Sequence, residues 1–420
     1  LEYLLLRSSI CSVGVLSLLL AARLPAQVPQ TPPPQEEEEE EGPPAQEPEA
    51  KPKERRPPDG ILPVAEIARL SFAPSDLPKL LLHGDRLVAA TVSGGVEARD
   101  AGSGEFRWKL GLPGETLFEP VLYRADPFEI LLSSASGHLF VVDAATGEIR
   151  RELSLSSELA LPPLVALPRI YAGTPKGEIL AIDAETGADR FRVPLEETPS
   201  ALSMTASTLL ASGSERTLVA LNADTGAEIW RLRGRSGFFA PAVFGFERVY
   251  IGNDAGEFYC LSLEDGDVRF RWPTGASIRY PALLEDRFVF VTSYGNDLYA
   301  YQPRGGAEQL RVSLPGRPAS GPVRFGRRLV VVTLDGVIVE VDPEKGAVSK
   351  VHQSPGDLAA TPAFLPAAPS PGTDWYAAHR IALSLRTGEV LLLGHQGTEE
   401  DEPEEKKETE PPREDTVSRK

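Results

Sequence analysis

Three residue types in this 420-residue chain have side chains capable of chemistry, and spacing decides what each can do. Carboxylates are the most numerous, with 61 Asp and Glu against 43 Lys and Arg; gathered together they would offer hard oxygen ligands to Ca²⁺. Most instead open short turns or lie in the two ends of the chain, and no ligand cluster can be read from them. The five histidines, His83, His138, His352, His379 and His395, are dispersed, without the short spacing that brings imidazoles to one metal ion. Cys11 falls in an apolar N-terminal stretch and Cys260 in the alternating run Glu257 to Leu261. No disulfide framework is therefore available within the monomer, and Cys260 reads as a buried core thiol. The body contains no G-x-S-x-G elbow, no P-loop and no dinucleotide fingerprint. A net charge of −18 argues against a nucleic-acid partner, because phosphate binding requires clustered Lys and Arg. The expectation is a protein with no catalytic residues, metal or cofactor.

The remaining chemistry is that of recognition. Two segments combine arginine with aromatic side chains, the usual composition of interface anchors. They are Arg233-Gly-Arg235-Ser-Gly-Phe238-Phe239 and Trp272-Pro-Thr-Gly-Ala-Ser-Ile-Arg279-Tyr280. Their use depends on the elements that hold them, and those elements are repeated.

A turn ending in Gly recurs at Gly104, Gly147, Gly187, Gly226, Gly266, Gly306 and Gly346, at intervals of 43, 40, 39, 40, 40 and 40 residues. Asp143-Ala-Ala-Thr-Gly147 and Asn222-Ala-Asp-Thr-Gly226 show its form. The opening Asp or Asn can accept from the turn's own N–H groups, and the closing Gly takes a positive φ that a side chain would resist. Alternating apolar runs precede each turn. A second register is set by Pro78, Pro120, Pro162, Pro199, Pro241, Pro281, Pro322 and Pro362, each opening an apolar stretch, as a strand's first residue may be Pro without loss of a ladder bond. Four strands per forty residues is the blade of a β-propeller. The sequence thus predicts an all-β, eight-bladed β-propeller of four-stranded antiparallel blades.

Eight proline-opened strands but only seven full turns leave the last blade short of its outer strand. The run Val64 to Phe72 resembles the outer strands, and the preferred register gives it to the final blade, closing the ring. The competing register takes Arg386-Thr-Gly388 as an eighth full turn. In either register the loops that follow outer strands share a rim with the turns between second and third strands, and the two arginine-aromatic segments are adjacent loops on that rim. Arg233, Arg235, Phe238, Phe239, Trp272, Arg279 and Tyr280 form the candidate partner face.

Four residues after the turn glycine stand Trp108, Phe191, Trp230 and Phe270, with Arg151, Leu310 and Lys350 in the other units. The pattern Ala-x-Asp-x-x-Thr-Gly-x-x-x-Trp, nearly complete from Ala220 to Trp230, resembles the tryptophan-docking repeat of PQQ-like, quinoprotein-type propellers. The resemblance covers about residues 61–394 and implies that these four aromatics are structural interblade wedges. Of the two groups sharing the repeat, the quinoprotein dehydrogenases hold pyrroloquinoline quinone with Ca²⁺. This chain lacks the adjacent-cysteine disulfide that many of them carry and has none of their long insertions. The second group, BamB-type subunits of the bacterial outer-membrane barrel-assembly machinery, is similar in size and implies a cofactor-free periplasmic scaffold.

The ends complete the expectation. Residues 1–26, with Arg7, an apolar stretch from Ile10 to Ala22 and the small residue Ala26, read as a signal peptide, or alternatively an uncleaved membrane anchor. Residues 27–60 hold six consecutive glutamates and repeated Pro and read as a disordered linker; residues 398–420 read as a disordered charged tail. The ring between them, residues 61–397, is only mildly acidic. The sequence therefore points to a monomeric, extracytoplasmic scaffold of the periplasm or cell envelope. It would bind a protein partner, meet no nucleic acid, and touch membrane only through the N-terminal segment. A PQQ-dependent oxidoreductase-like protein and a polysaccharide-binding propeller are the alternatives.

Overall fold

The computed structural model describes residues 60–366 and 379–396, and the expected leader, linker and charged tail lie outside them, apart from Gly60. The described residues form 32 strands in eight four-stranded antiparallel sheets, with no helix. Seven sheets are continuous in sequence: residues 79–111, 121–154, 164–194, 199–233, 243–273, 283–313 and 323–353, here blades 1 to 7. Each register proline stands at or just before a blade's first strand, as Pro78 before Lys79–His83 and Pro199 within Pro199–Met204. Second and third strands are buried on both faces and so read as almost unbroken apolar runs, as in Thr208–Gly213 and Thr217–Asn222. Outer strands face solvent; Glu228–Arg233 fully buries only Trp230.

Blade 8 joins Ala363–Leu365, Arg380–Ser384 and Glu389–His395 to Val64–Ser71, with Val64 opposite His395 and Ser71 opposite Glu389. The N-terminal strand thus supplies the outer strand of the last blade and closes an eight-bladed propeller. Gly388 sits in the short turn between second and third strands. Its N–H donates to Leu385 O at 3.0 Å, as that of Gly336 does to Thr333 O at 3.0 Å in blade 7. The register that treats Arg386-Thr-Gly388 as an eighth full turn is therefore wrong.

The repeated turn is held from within. Asp143 Oδ1 accepts from the N–H groups of Ala145 (2.8 Å) and Thr146 (2.9 Å), Oδ2 accepts from Arg150 (2.8 Å), and the Gly147 N–H returns to Asp143 O at 2.9 Å. The Arg150 guanidinium, then the turn's own N–H donors, hold the Asp143 carboxyl below its ordinary range. Arg107 acts first on Asp100 and Arg190 first on Asp183, in the same direction. Asn222 makes the uncharged version, accepting from Asp224 N–H (3.0 Å) and Thr225 N–H (2.9 Å).

The same turn is also the seat for the preceding blade. Trp108 in blade 1 lies against Gly147 in blade 2 and sends its indole N–H to Ala144 O at 2.9 Å. Trp230 lies against Gly266 and donates to Leu263 O at 2.9 Å. Phe191 covers Gly226 and Phe270 covers Gly306 in the same way. Leu310 packs on Gly346 without a bond, while Arg151 and Lys350 reach across as donors. Arg151 bonds Ala184 O at 2.9 Å, and Lys350 reaches Leu62 O at 3.4 Å.

Two expectations follow from this geometry. A Cβ at Gly226 would stand 2.6 Å from the Phe191 ring at φ 74°, whereas at Gly187, with φ 71°, its nearest neighbour is Leu153 at 3.4 Å. Gly187→Ala should cost about 1–2 kcal/mol from the left-handed backbone alone. Gly226→Ala should add overpacking of about 1–3 kcal/mol, and urea midpoints measured side by side would show equal losses if ring contact were unimportant. The second concerns acid. A carboxyl depressed in the fold stabilises above its unfolded pKa and loses that contribution as pH falls through the folded value. Asp143→Asn, which copies the uncharged turn of Asn222, should therefore be the less stable protein at neutral pH, with the gap closing as pH drops below about 4; urea denaturation across pH reads this directly.

Candidate binding face

The loops after the outer strands of blades 4 and 5 lie across the turns between second and third strands, each tied to its own blade and the next. Gly234 N–H bonds Arg216 O at 2.8 Å and Asp254 N–H bonds Gly237 O at 2.9 Å. In the following loop Thr274 N–H bonds Gly256 O at 2.7 Å, Ile278 N–H bonds Asn253 O at 3.0 Å and Tyr294 N–H bonds Ser277 O at 2.8 Å. Main-chain bonds of this kind fix the loops without using the side chains at their tips.

The side chains divide. Phe238 is fully buried, its ring 5.7 Å from Tyr259 within the core between blades 4 and 5, and cannot meet a partner. Trp272 is likewise removed from the face. It belongs to the outer strand Val268–Pro273, stacks on Tyr301 at 4.5 Å and Phe270 at 5.5 Å, and donates its indole N–H to Gly306 O of blade 6 at 2.5 Å. It is an interblade brace, and it extends the row formed by Trp108, Phe191, Trp230 and Phe270.

Phe239 and Arg279, from different loops, are brought together. The Arg279 guanidinium lies 4.2 Å from the Phe239 ring centre, salt-bridges Asp254 at 2.6 Å and donates from Nε to Ser277 at 3.0 Å. A half-exposed cation–π pair of this sort contributes about 0.5–1 kcal/mol, enough to hold an arginine and an aromatic face in one arrangement. Tyr280 is half-buried and its ring lies 6.2 Å from Tyr294; burial, then the Tyr294 hydroxyl, pushes its phenol well above the ordinary range. Arg235 is exposed and reaches Glu257 at 3.4 Å. Arg233 pairs with Glu196 at 3.2 Å on the outer edge, away from the Arg279 pair.

Glu257 anchors this arrangement from below. Burial alone would raise its carboxyl, but Tyr259 (2.6 Å), Asn253 (3.0 Å), Arg271 and Arg235 outweigh burial and hold it below the ordinary value. The same proton geometry pushes Tyr259 up to about 12, through burial first and Glu257 second.

Sequence reading omitted Asp254, Tyr294 and Arg317. Tyr294 lies in the turn between second and third strands of blade 6, and exposed Arg317, from the next loop, sits 5.4 Å from its ring centre. Carrying the forty-residue register one loop further would have pointed to Arg317; Tyr294 gave no compositional signal. The face is thus an arc over blades 4 to 6 made of Phe239, Arg279, Tyr280, Tyr294, Arg317 and Arg235.

The repeat's carboxylates do not make a calcium site: Asp100, Asp143 and Asp183 each spend one oxygen on their own turn and the other on Arg107, Arg150 and Arg190. Cys260 is fully buried in the core between blades 5 and 6, and burial pushes its thiol up. His138 meets Glu115 at 2.6 Å, and among the described residues no three His, Cys, Asp or Glu side chains gather as metal ligands.

Comparison with known proteins agrees with this architecture. A family model described as outer membrane protein assembly factor BamB matches residues 125–219, 214–281 and 271–400. Outer membrane protein assembly factor BamB of Burkholderia pseudomallei is 24% identical over 322 residues, 71% of this chain and 81% of that protein. Its namesake from Bordetella pertussis is 24% identical over 288 residues, 64% of this chain and 72% of that protein. Among solved structures, BamB from Moraxella catarrhalis superposes with TM-score 0.61 at 18% identity, covering 79% of this chain and 99% of that one. Sqt1 of Saccharomyces cerevisiae reaches TM-score 0.67 at 11% identity, covering 78% of this chain and 98% of that one. At these identities the structures speak for the fold, and the family model, which spans most of the ring, places the chain: it belongs to the family of the outer membrane protein assembly factor BamB.

Proposed function

We propose that this chain is an extracytoplasmic, non-catalytic scaffold that binds a protein partner of the bacterial envelope in outer-membrane protein assembly. The observation that carries the reading is the family match over residues 125–400. The names of the curated relatives, each an outer membrane protein assembly factor, support the same process. The contact surface is the loop rim of blades 4 to 6, where Arg279 bridges two loops by covering Phe239. Arginine and aromatic side chains already held in place lose little entropy on binding. The N-terminal segment, residues 1–26, supplies the export signal or anchor.

Changing Phe239 and Arg279 together to Ala should abolish capture of an envelope assembly component by the immobilised full chain. The melting temperature should fall by only a few degrees, since both side chains lie above the core. Undiminished capture by the double variant would remove this rim as the contact surface. Dye-linked oxidation of alcohols or sugars after addition of quinone and Ca²⁺ would overturn the non-catalytic reading.

A further inference from the structure

On the loop rim of blades 5 to 7, the turns between second and third strands, with the first strand residue each leads into, carry Asp254, Glu257, Asp297 and Asp335. Every one of these carboxylates is committed to a donor of the protein itself. Asp254 takes Arg279 and Ser277, and Glu257 takes Tyr259, Asn253, Arg235 and Arg271. Asp297 is buried and holds Arg311 at 2.7 Å, and Asp335, beside Gly316, accepts from the Thr333 hydroxyl at 2.5 Å. The arginines do not come out even. Arg235, Arg271, Arg279 and Arg311 are matched by these groups, whereas among the described residues the Arg317 guanidinium has neither a carboxylate nor a hydrogen-bond acceptor.

Arg317 is nevertheless held in place. Its carbonyl accepts from Leu334 N–H of blade 7 at 2.8 Å, buried Pro318 is bridged to Thr333, and Ala319 N–H bonds Val332 O at 2.7 Å. The guanidinium lies over Tyr294, 5.4 Å from the ring centre, and Tyr294 N–H is tied in turn to Ser277 O at 2.8 Å. Contact with a ring face leaves the guanidinium's N–H donors unspent. A positioned, exposed cation of this kind breaks no ion pair of its own when a counter-charge arrives, and loses little side-chain freedom.

We infer that Arg317 receives an Asp or Glu carboxylate of the protein partner. This rests on the loop-rim contact proposed above and adds the partner's chemistry to it. Tyr280 and Tyr294, with ring centres 6.2 Å apart, link the Arg279–Phe239 pair to Arg317. A segment crossing the arc would set an apolar side chain on the two tyrosines and its carboxylate on the guanidinium edge, where two parallel N–H···O bonds can form. Phosphate-bearing segments are recognised by clusters of arginines, and on this part of the rim Arg317 is alone in being unmatched.

The probe for the test is the envelope component recovered on the immobilised full chain, repurified and titrated against full-chain variants by surface plasmon resonance. Arg317→Glu should weaken binding at least ~10-fold and Arg317→Ala at least ~3-fold, while Arg317→Lys keeps most of the affinity. Melting curves should match that of the unaltered chain, because the side chain is exposed. Treating the Arg317→Lys complex with a water-soluble carbodiimide should link the introduced amine to one Asp or Glu of the component, identified by peptide mass spectrometry. Changing that acid to its amide should leave Arg317→Ala with almost no further effect, a coupling of at least ~3-fold in the double-mutant cycle. Binding that is lost with Phe239 and Arg279 but unchanged by Arg317→Glu overturns this inference alone, as does a missing cross-link or an additive cycle. Binding that survives the Phe239 and Arg279 changes removes the rim as the contact surface, and this inference with it.

Discussion

The ring depends on one contact repeated around most of it, in which a side-chain donor of one blade reaches a main-chain carbonyl on the next; between blades 6 and 7 the Arg324–Glu285 pair stands in its place. At most junctions the acceptor is the residue after the turn's opening Asp, Asn, Ser or Gln. Ala144, Ala184, Ala223, Leu263 and Pro303 accept from Trp108, Arg151, Tyr171, Trp230 and Tyr250. Except at Pro303, which has none, the N–H of that residue is spent inside its own blade, as Ala144 N–H on Phe128 O and Ala184 N–H on Pro168 O, both at 3.0 Å. The carbonyl is thereby left aimed outward at the neighbour. At four of the junctions a small residue lets the neighbour's side chain approach the backbone, and Ala101, Ala144, Ala184 and Ala223 are all buried. The turn glycine answers two demands together, the positive φ of the turn and the flat seat for an aromatic ring.

The seam where the ring closes cannot use the same parts, since one of its strands comes from the other end of the sequence. Charged groups replace the rings. Arg380, 5% exposed, sends Nε to Ala101 O at 2.8 Å, joining blade 8 to blade 1. On the other side Glu340, 1% exposed, receives Leu62 N–H, joining blade 7 to the incoming N-terminal strand. Burial raises the Glu340 carboxyl against the pull of that donor, Lys350 and Arg328. A buried charge with defined donors punishes misregister more than an apolar contact would, which suits a junction that must select one strand out of a long chain.

The parts of this design most legible in sequence were those where backbone geometry restricts residue type: glycines at positive φ, prolines without N–H, and the Asp or Asn that bonds its own turn. Their spacing alone predicts blades and their number, while closure was read from the likeness of Val64 to Phe72 to the outer strands. Side-chain direction was far less legible. Phe238 and Phe239 are neighbours of identical chemistry, yet one is sealed in the core and the other supports Arg279, because consecutive loop residues point to opposite sides of a backbone pinned at Gly213 and Asp254. Trp272 looked like a loop anchor because composition does not show where the outer strand ends; the strand runs on to Pro273 and turns the indole toward Gly306.

The two rims therefore differ in kind. On the loop rim most arginines are matched locally, Arg279 by Asp254 and Arg235 and Arg271 by Glu257, so that what faces outward is shape and aromatic surface held in fixed positions. On the opposite rim Arg287 lies over Phe288 and Arg304 over Phe246, in clefts also lined by Glu285, Asp286 and Glu344. A partner taken up on the loop rim, as proposed, would be chosen by fit and would respond little to salt. Because each blade's core is sealed by side chains between sheets, with second and third strands buried on both faces, neither rim can alter the other without moving a whole blade.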